Sequence, residues 1–190
     1  MKIDFYTKYY NKFSNIIKLN QRDYNKLELA AKEISNLKKQ KKKIIIFGNG
    51  GSSAIASHVA VDLTKNTRIK TIPLTDSSLI TCFSNDFGHD NWMKKAVEHY
   101  YEKGDMVIII SSSGTSKNII NAAKFCFKNK IKMISFSGMK KNNRLNSINK
   151  KGMSFWINSV AYNHIELAHL YLLLLVIDRI IFLRSKKKIK

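Results

Sequence analysis

Cysteine, proline and acidic residues are scarce in this chain, and each scarcity excludes something. The two cysteines, Cys82 and Cys126, lie in apparently regular segments with no CxxC or CxxH spacing. That removes a disulfide framework and a cysteine-bound zinc, and both are expected as packed free thiols. With one proline, Pro73, and no Ser/Gly/Pro-rich stretch in 190 residues, there is no linker, and a single domain spanning 1–190 is expected. Asp and Glu number 13 against 34 Lys and Arg, a net charge of +21. Such a balance suits an anionic partner. The lysines, however, are dispersed over 38–43, 140–141, 150–151 and 186–190, without a zinc-finger or RNP-type pattern or aromatic interleaving, which argues against nucleic acid. The most apolar run, Leu170 to Ile177, stops after eight residues at Asp178 and Arg179, short of the roughly 20 that span a bilayer. It is expected as a buried helix or an oligomer interface, with no membrane partner. No apolar run follows Asp4, so a secretory signal is not expected and the cytoplasm is the expected compartment.

What is present is organised around Ile44 to Leu63. A β-branched and aromatic run, Ile44 to Phe47, meets Gly48, Gly50 and Gly51, then Ser52, Ser53 and a helical pattern. Strand, tight turn and helix follow from that order. Glycines let a ligand approach the backbone, and the free N–H groups of the new helix suit a phosphate. The third strand, Met106 to Ile110, ends in Ser111, Ser112, Ser113, Gly114, Thr115 and Ser116 ahead of another helix. A glycine turn that merely joins strand to helix would explain the first loop but not a second one so rich in hydroxyls. The remaining strands are expected at Lys70–Leu74, which Pro73 confines to an edge or a strand end, at Ile131–Phe136 and at Met153–Ile157. Strands alternating with helices predict an α/β fold, a doubly wound, five-stranded parallel sheet flanked by helices, over 41–184. Residues 1–40 are expected as an N-terminal helical extension whose apolar face needs a partner, 84–90 as a polar loop, and 185–190 as a frayed basic tail. Ligands in such folds bind at the carboxyl ends of the strands.

The first turn departs from a dinucleotide GxGxxG, because Ser53 stands where the third glycine belongs and no acidic residue ends the second strand unless Asp76 serves. It is no Walker loop either, since Gly-Lys-Ser/Thr does not follow. No nucleotide cofactor is expected.

FGNGGSSAIASHVAVDL, then SNDFG, SSSGTSKNIINAAK, SFSG and a late NHIELAHLYLL resemble, in order and spacing, the sugar isomerase (SIS) domain family, and within it the phosphoheptose isomerases. The similarity runs from about Phe5 to Phe182. It implies a homotetramer with sites between subunits and the interconversion of a ketose and an aldose phosphate. It also implies that Ser52, Ser111, Ser112, Ser113 and Ser116 hold the sugar phosphate beside Gly50 and Gly51, and that Asn49 and Asp86 hold sugar hydroxyls.

Isomerisation through an enediol needs a base for the proton beside the carbonyl and an acid that moves a proton between O1 and O2. His58 and Asp62 are four apart and face the same way on a helix. Similar enzymes have His and Glu there, the Glu as base and the pair as zinc ligands, so the resemblance points to Asp62 as base. On the last helix Glu166 occupies a Gln position, and Leu174 the position of a histidine that serves as acid and metal ligand. Leucine transfers no proton. His169 points elsewhere, about 140° around the helix from position 174, which leaves Glu166 as the expected acid and His58, Asp62 and Glu166 as the metal set if zinc binds. The missing histidine also suits a non-catalytic SIS module that senses a phosphosugar or serves as a protein scaffold. A nucleic-acid-associated protein is a third reading, resting on charge alone.

Overall fold

The computed structural model describes residues 2–185, and the tail beyond lies outside them. Five strands, β1 (Ile44–Gly48), β2 (Thr71–Pro73), β3 (Met106–Ser111), β4 (Lys132–Ser137) and β5 (Met153–Trp156), form one sheet in the order β2-β1-β3-β4-β5. Every pairing is parallel. Pro73 closes the short edge strand β2, where its missing N–H leaves no ladder bond unmade.

Alternate strand residues feed two cores because the side-chain period of a strand is two. Ile44, Ile46, Met106, Ile108, Ile110, Ile134 and Phe136 face one layer, and Ile45, Phe47, Val107, Ile109 and Met133 face the other. Burial on both faces explains why β1 and β3 read as unbroken apolar runs. The first layer holds α2 (Gln21–Lys39), α3 (Gly51–Thr67) and α8 (Tyr162–Ser185). The second holds α4 (Ser77–Phe87), α5 (Trp92–Tyr100), α6 (Lys117–Lys128) and α7 (Arg144–Ile148).

Three expectations change. The N-terminal segment is helical as expected and forms two helices, α1 (Lys2–Ile16) and α2; what changes is that α2 is no appendage, since Leu27, Ala30, Ala31, Ile34 and Leu37 are buried in the main core. Asn20 starts α2 with a capping box: its side chain accepts from the Arg22 and Asp23 N–H groups while Asp23 accepts from the Asn20 N–H, and the chain breaks there. α1 packs Phe13 and Ile16 against that core and leaves Phe5, Tyr6 and Tyr10 more than 60 % exposed. The expected polar loop at 84–90 is helical as far as Phe87, because α4 starts under the Asp76 cap and runs on. Of the two thiols only Cys126 is packed. Burial pushes it up to about 12, whereas Cys82 is exposed on α4. The short helix α7, capped by Asn143, has no apolar periodicity that announces it.

Candidate functional site

The chain passes from β1 to β2 on one side and returns to β3 on the other, so the sheet reverses direction between β1 and β3. Crevices form at such switch points, at the carboxyl ends of the strands. Here the two unusual turns meet. Asn49 and Asn118 exchange side-chain amide bonds of 3.1 and 3.0 Å between the turn after β1 and the first turn of α6. Asn118 is buried and also accepts from the Ile119 N–H. Leu145 N–H donates to Gly114 O, which fastens the loop after β4 to the same place. Sequence reasoning missed Asn118. Its signal was a polar side chain at a core-facing helix position.

Both helices that start here begin without a side-chain cap: Gly50 precedes α3 and Ser116 precedes α6. Gly50 takes φ +53, a conformation that L side chains rarely adopt. Two positive helix ends therefore open on one crevice, the arrangement that attracts an anion. Ser111 Oγ accepts from Gly114 N–H at 3.1 Å and Ser113 Oγ from Thr115 N–H at 3.3 Å, so these hydroxyls shape the loop. The Ser112 hydroxyl is buried and has no partner. An orphan hydroxyl inside a polar turn has its hydrogen bond to give to a ligand. Ser52 is buried on the first turn of α3, and Ser116 is half-buried.

The residues expected to move protons are not gathered in one chain. Asp62 Oδ2 lies 3.2 Å from His58 Nε2, and its Oδ1 accepts from Asn66 Nδ2 at 3.3 Å. The Glu166 carboxylate lies against Gly51, in the space that a Cβ there would fill. Eleven residues of α3 separate Gly51 from Asp62, about 16 Å along the axis. The two helices run in the same direction, with Glu166 beside Gly51 and Arg184 donating to Thr67 O. Leu174 is then level with His58 and Val59, half-buried against the core. Among the described residues no three His, Cys, Asp or Glu side chains converge on a point where a metal ion would sit. The set of His58, Asp62 and Glu166 therefore does not fit zinc within one protomer, and no chemical step below is drawn through a metal.

Asp86, expected to hold a sugar hydroxyl, is exposed on the last turn of α4 and engaged by Asn85 Nδ2 at 3.0 Å and Cys82 Sγ at 3.7 Å. Both bonds stay within its own helix. His169 is fully buried, 3.2 Å from Ser137 O through Nε2, and burial pulls it down to about 4. It is neutral and donates that bond, a core histidine that takes no part in the crevice.

A doubly wound parallel sheet with two uncapped, glycine- and hydroxyl-rich helix starts at its switch point defines an α/β domain of the kind whose crevice suits an anion. Residues 8–138 match the SIS domain, and the chain belongs to the SIS domain family. It is 35% identical over 161 residues to a phosphoheptose isomerase of Thermodesulfovibrio yellowstonii, covering 78% of each chain. With a phosphoheptose isomerase of Campylobacter concisus it shares 37% identity over 118 residues, 59% of this chain and 62% of that protein. The alignment thus spans less than two thirds of that relative. The structure of phosphoheptose isomerase from Neisseria gonorrhoeae superposes with a TM-score of 0.82 at 24% identity, over 95% of this chain and 99% of that one, and shares its fold.

Proposed function

We propose that this protein is an aldose–ketose isomerase of phosphorylated sugars that interconverts sedoheptulose 7-phosphate and the corresponding aldoheptose 7-phosphate through an enediol. The observation that carries this reading is the pair of uncapped, hydroxyl-rich helix starts joined by Asn49 and Asn118 at the switch point. The phosphate sits at Ser52, Ser111, Ser112, Ser113 and Ser116, and the backbone of Gly50 and Gly51 leaves room for it. Asn49 and Asp86 hold hydroxyls of the chain.

Asp62 removes a proton from C1 of the ketose, and Glu166 gives a proton to O2 and takes one from O1. Return of the first proton to C2 leaves the aldose carbonyl at C1. Asp62 and Glu166 of one protomer are too far apart along α3 to serve one pair of carbons. We therefore place the site between subunits of a homotetramer in the cytoplasm, one copy presenting the α3 face and a neighbour the start of α8. The exposed aromatic side of α1 is the surface available for that assembly, and no helix among the described residues is long and apolar enough to cross a membrane.

The test is proton NMR in D₂O with sedoheptulose 7-phosphate, with and without added zinc. Exchange of the proton beside the carbonyl together with an aldose product is the expected result. Binding of the phosphosugar without exchange or product would refute the isomerase.

A further inference from the structure

Away from the crevice a cleft of about 910 Å³ opens along the free edge of β5, walled by the α1–α2 turn, the start of α2, the α7 region and α8. Its lining includes none of the residues 49–53 or 111–116. Five cations line it, Lys18, Arg22, Lys26, Lys141 and Lys150, against one acid, Asp23. The Asp23 carboxylate is already committed to the Asn20 N–H at 3.1 Å. Elsewhere in the fold buried or half-buried cations meet carboxylates, as Lys43 does Asp105 and Arg179 does Glu28. Among the described residues none of the five in the cleft has such a partner: Lys26 donates to Ser154 O at 3.1 Å, and Lys141 Nζ lies 5.7 Å from the Trp156 ring centroid. Unpaired cations around a concave surface raise the local potential for an anion.

The cleft also offers what a bare anion does not use. Trp156 and Tyr171 line it together with Leu19, Ile157 and Leu172. The Trp156 indole is held in place by its Nε1–H bond to Met139 O at 3.2 Å, so the ring stands as a fixed flat surface with the Lys141 ammonium over one face. Ile157 N–H bonds Ser137 O on β4, which turns the main-chain N–H and C=O of Trp156 the other way, toward the open edge. A fixed aromatic face, unused backbone donors and acceptors, and unpaired cations in one cavity match a planar base carrying phosphates. We propose that this cleft binds a nucleoside phosphate, as a second site separate from the phosphosugar crevice.

Trp92 is only 2% exposed in the core behind α5 and α6, whereas Trp156 is half-buried on the edge strand and lines the cleft, so quenching of tryptophan fluorescence by ADP reports on Trp156. Titration of the full-length protein with ADP is expected to give saturable quenching with Kd below about 1 mM. The quench disappears in Trp156→Phe. In the double variant Lys26→Gln, Lys150→Gln, whose side chains lie outside the core, equilibrium dialysis of ADP shows affinity lower by about fivefold or more. Excess sedoheptulose 7-phosphate leaves ADP bound. Any of three results overturns the proposal: no saturable binding of ADP by either method up to about 5 mM, displacement of ADP by the phosphosugar, or pyrophosphate binding as tightly as ADP.

Discussion

Lowering the pH from 7 to 5 should destabilise this protein through His169, and the size of that effect follows from its surroundings. The imidazole is fully buried, donates through Nε2–H to Ser137 O, and has no partner at Nδ1. Burial holds it at about 4 against 6.5 in an exposed histidine. Above pH 6.5 it is neutral in both the folded and the unfolded chain and contributes no pH dependence. As pH falls through 6.5 the unfolded chain takes a proton that the folded one refuses until about pH 4, so stability is lost across that window and levels off below it. Each pH unit inside the window costs about 1.4 kcal/mol. The loss is about 2 kcal/mol between pH 7 and pH 5, and roughly 3 kcal/mol in all. Urea unfolding followed by circular dichroism at pH 7 and pH 5 measures it, with His169→Gln as the comparison. The variant starts less stable by about 1–3 kcal/mol, because the buried bond to Ser137 is weakened, but loses about 2 kcal/mol less than the wild type on acidification. The other histidines contribute equally to both proteins and cancel. Equal losses in wild type and variant would refute the assignment of a neutral, buried His169.

Asp62→Asn is expected to abolish turnover in the NMR exchange assay while the circular dichroism spectrum and thermal midpoint stay unchanged; retained turnover removes Asp62 as the base. Asn118→Ala breaks the tie between the two turns and leaves the Asn49 amide unpaired. It should cost about 1–3 kcal/mol in urea unfolding and raise the KM for the phosphosugar more than it lowers kcat. Asp105, only 1% exposed, pairs with Lys43 Nζ at 2.7 Å and accepts from the Glu102 and Lys43 N–H groups. Asp105→Ala leaves the largely buried Lys43 ammonium with only the exposed Glu102 carboxylate, 3.0 Å away, and a loss of about 3 kcal/mol is expected; a loss below about 1 kcal/mol, the range of a surface pair, would show that Glu102 suffices for Lys43.

Much of this was legible in local chemistry. The β-branched runs at Ile44–Phe47 and Met106–Ile110, each followed by a polar turn and a helical pattern, announced a parallel sheet with its ligand end at those turns. Pro73 announced an edge or a strand end, and it closes the edge strand β2, with Leu74 N–H, not residue 73, bonding Ile46 O on β1. The concentration of hydroxyls from Ser111 to Ser116 at the end of β3 was also visible, because the residue types alone carry it. Asn118 and Asn143 were not singled out, since an asparagine in a helical turn or a Lys/Asn-rich loop looks the same whether or not a second loop lies within reach. Leu174 was correctly read as unable to transfer a proton. What the sequence did not reveal is that Glu166 of α8 lies beside the start of α3, while Asp62 is about three turns further along it.

The sequence by itself determined the periodicities, the two glycine- and hydroxyl-rich turns and the membership of the SIS domain family, because those depend on residues close together in the chain. Only the tertiary structure decided that α2 belongs to the core, that α4 continues through Phe87, and that His169 is neutral. It alone decided that the His58–Asp62 pair and Glu166 do not share a site within one protomer. Each of these depends on which surface packs against which, and burial, pairing and distance between segments far apart in sequence exist only once the helices have docked on the sheet.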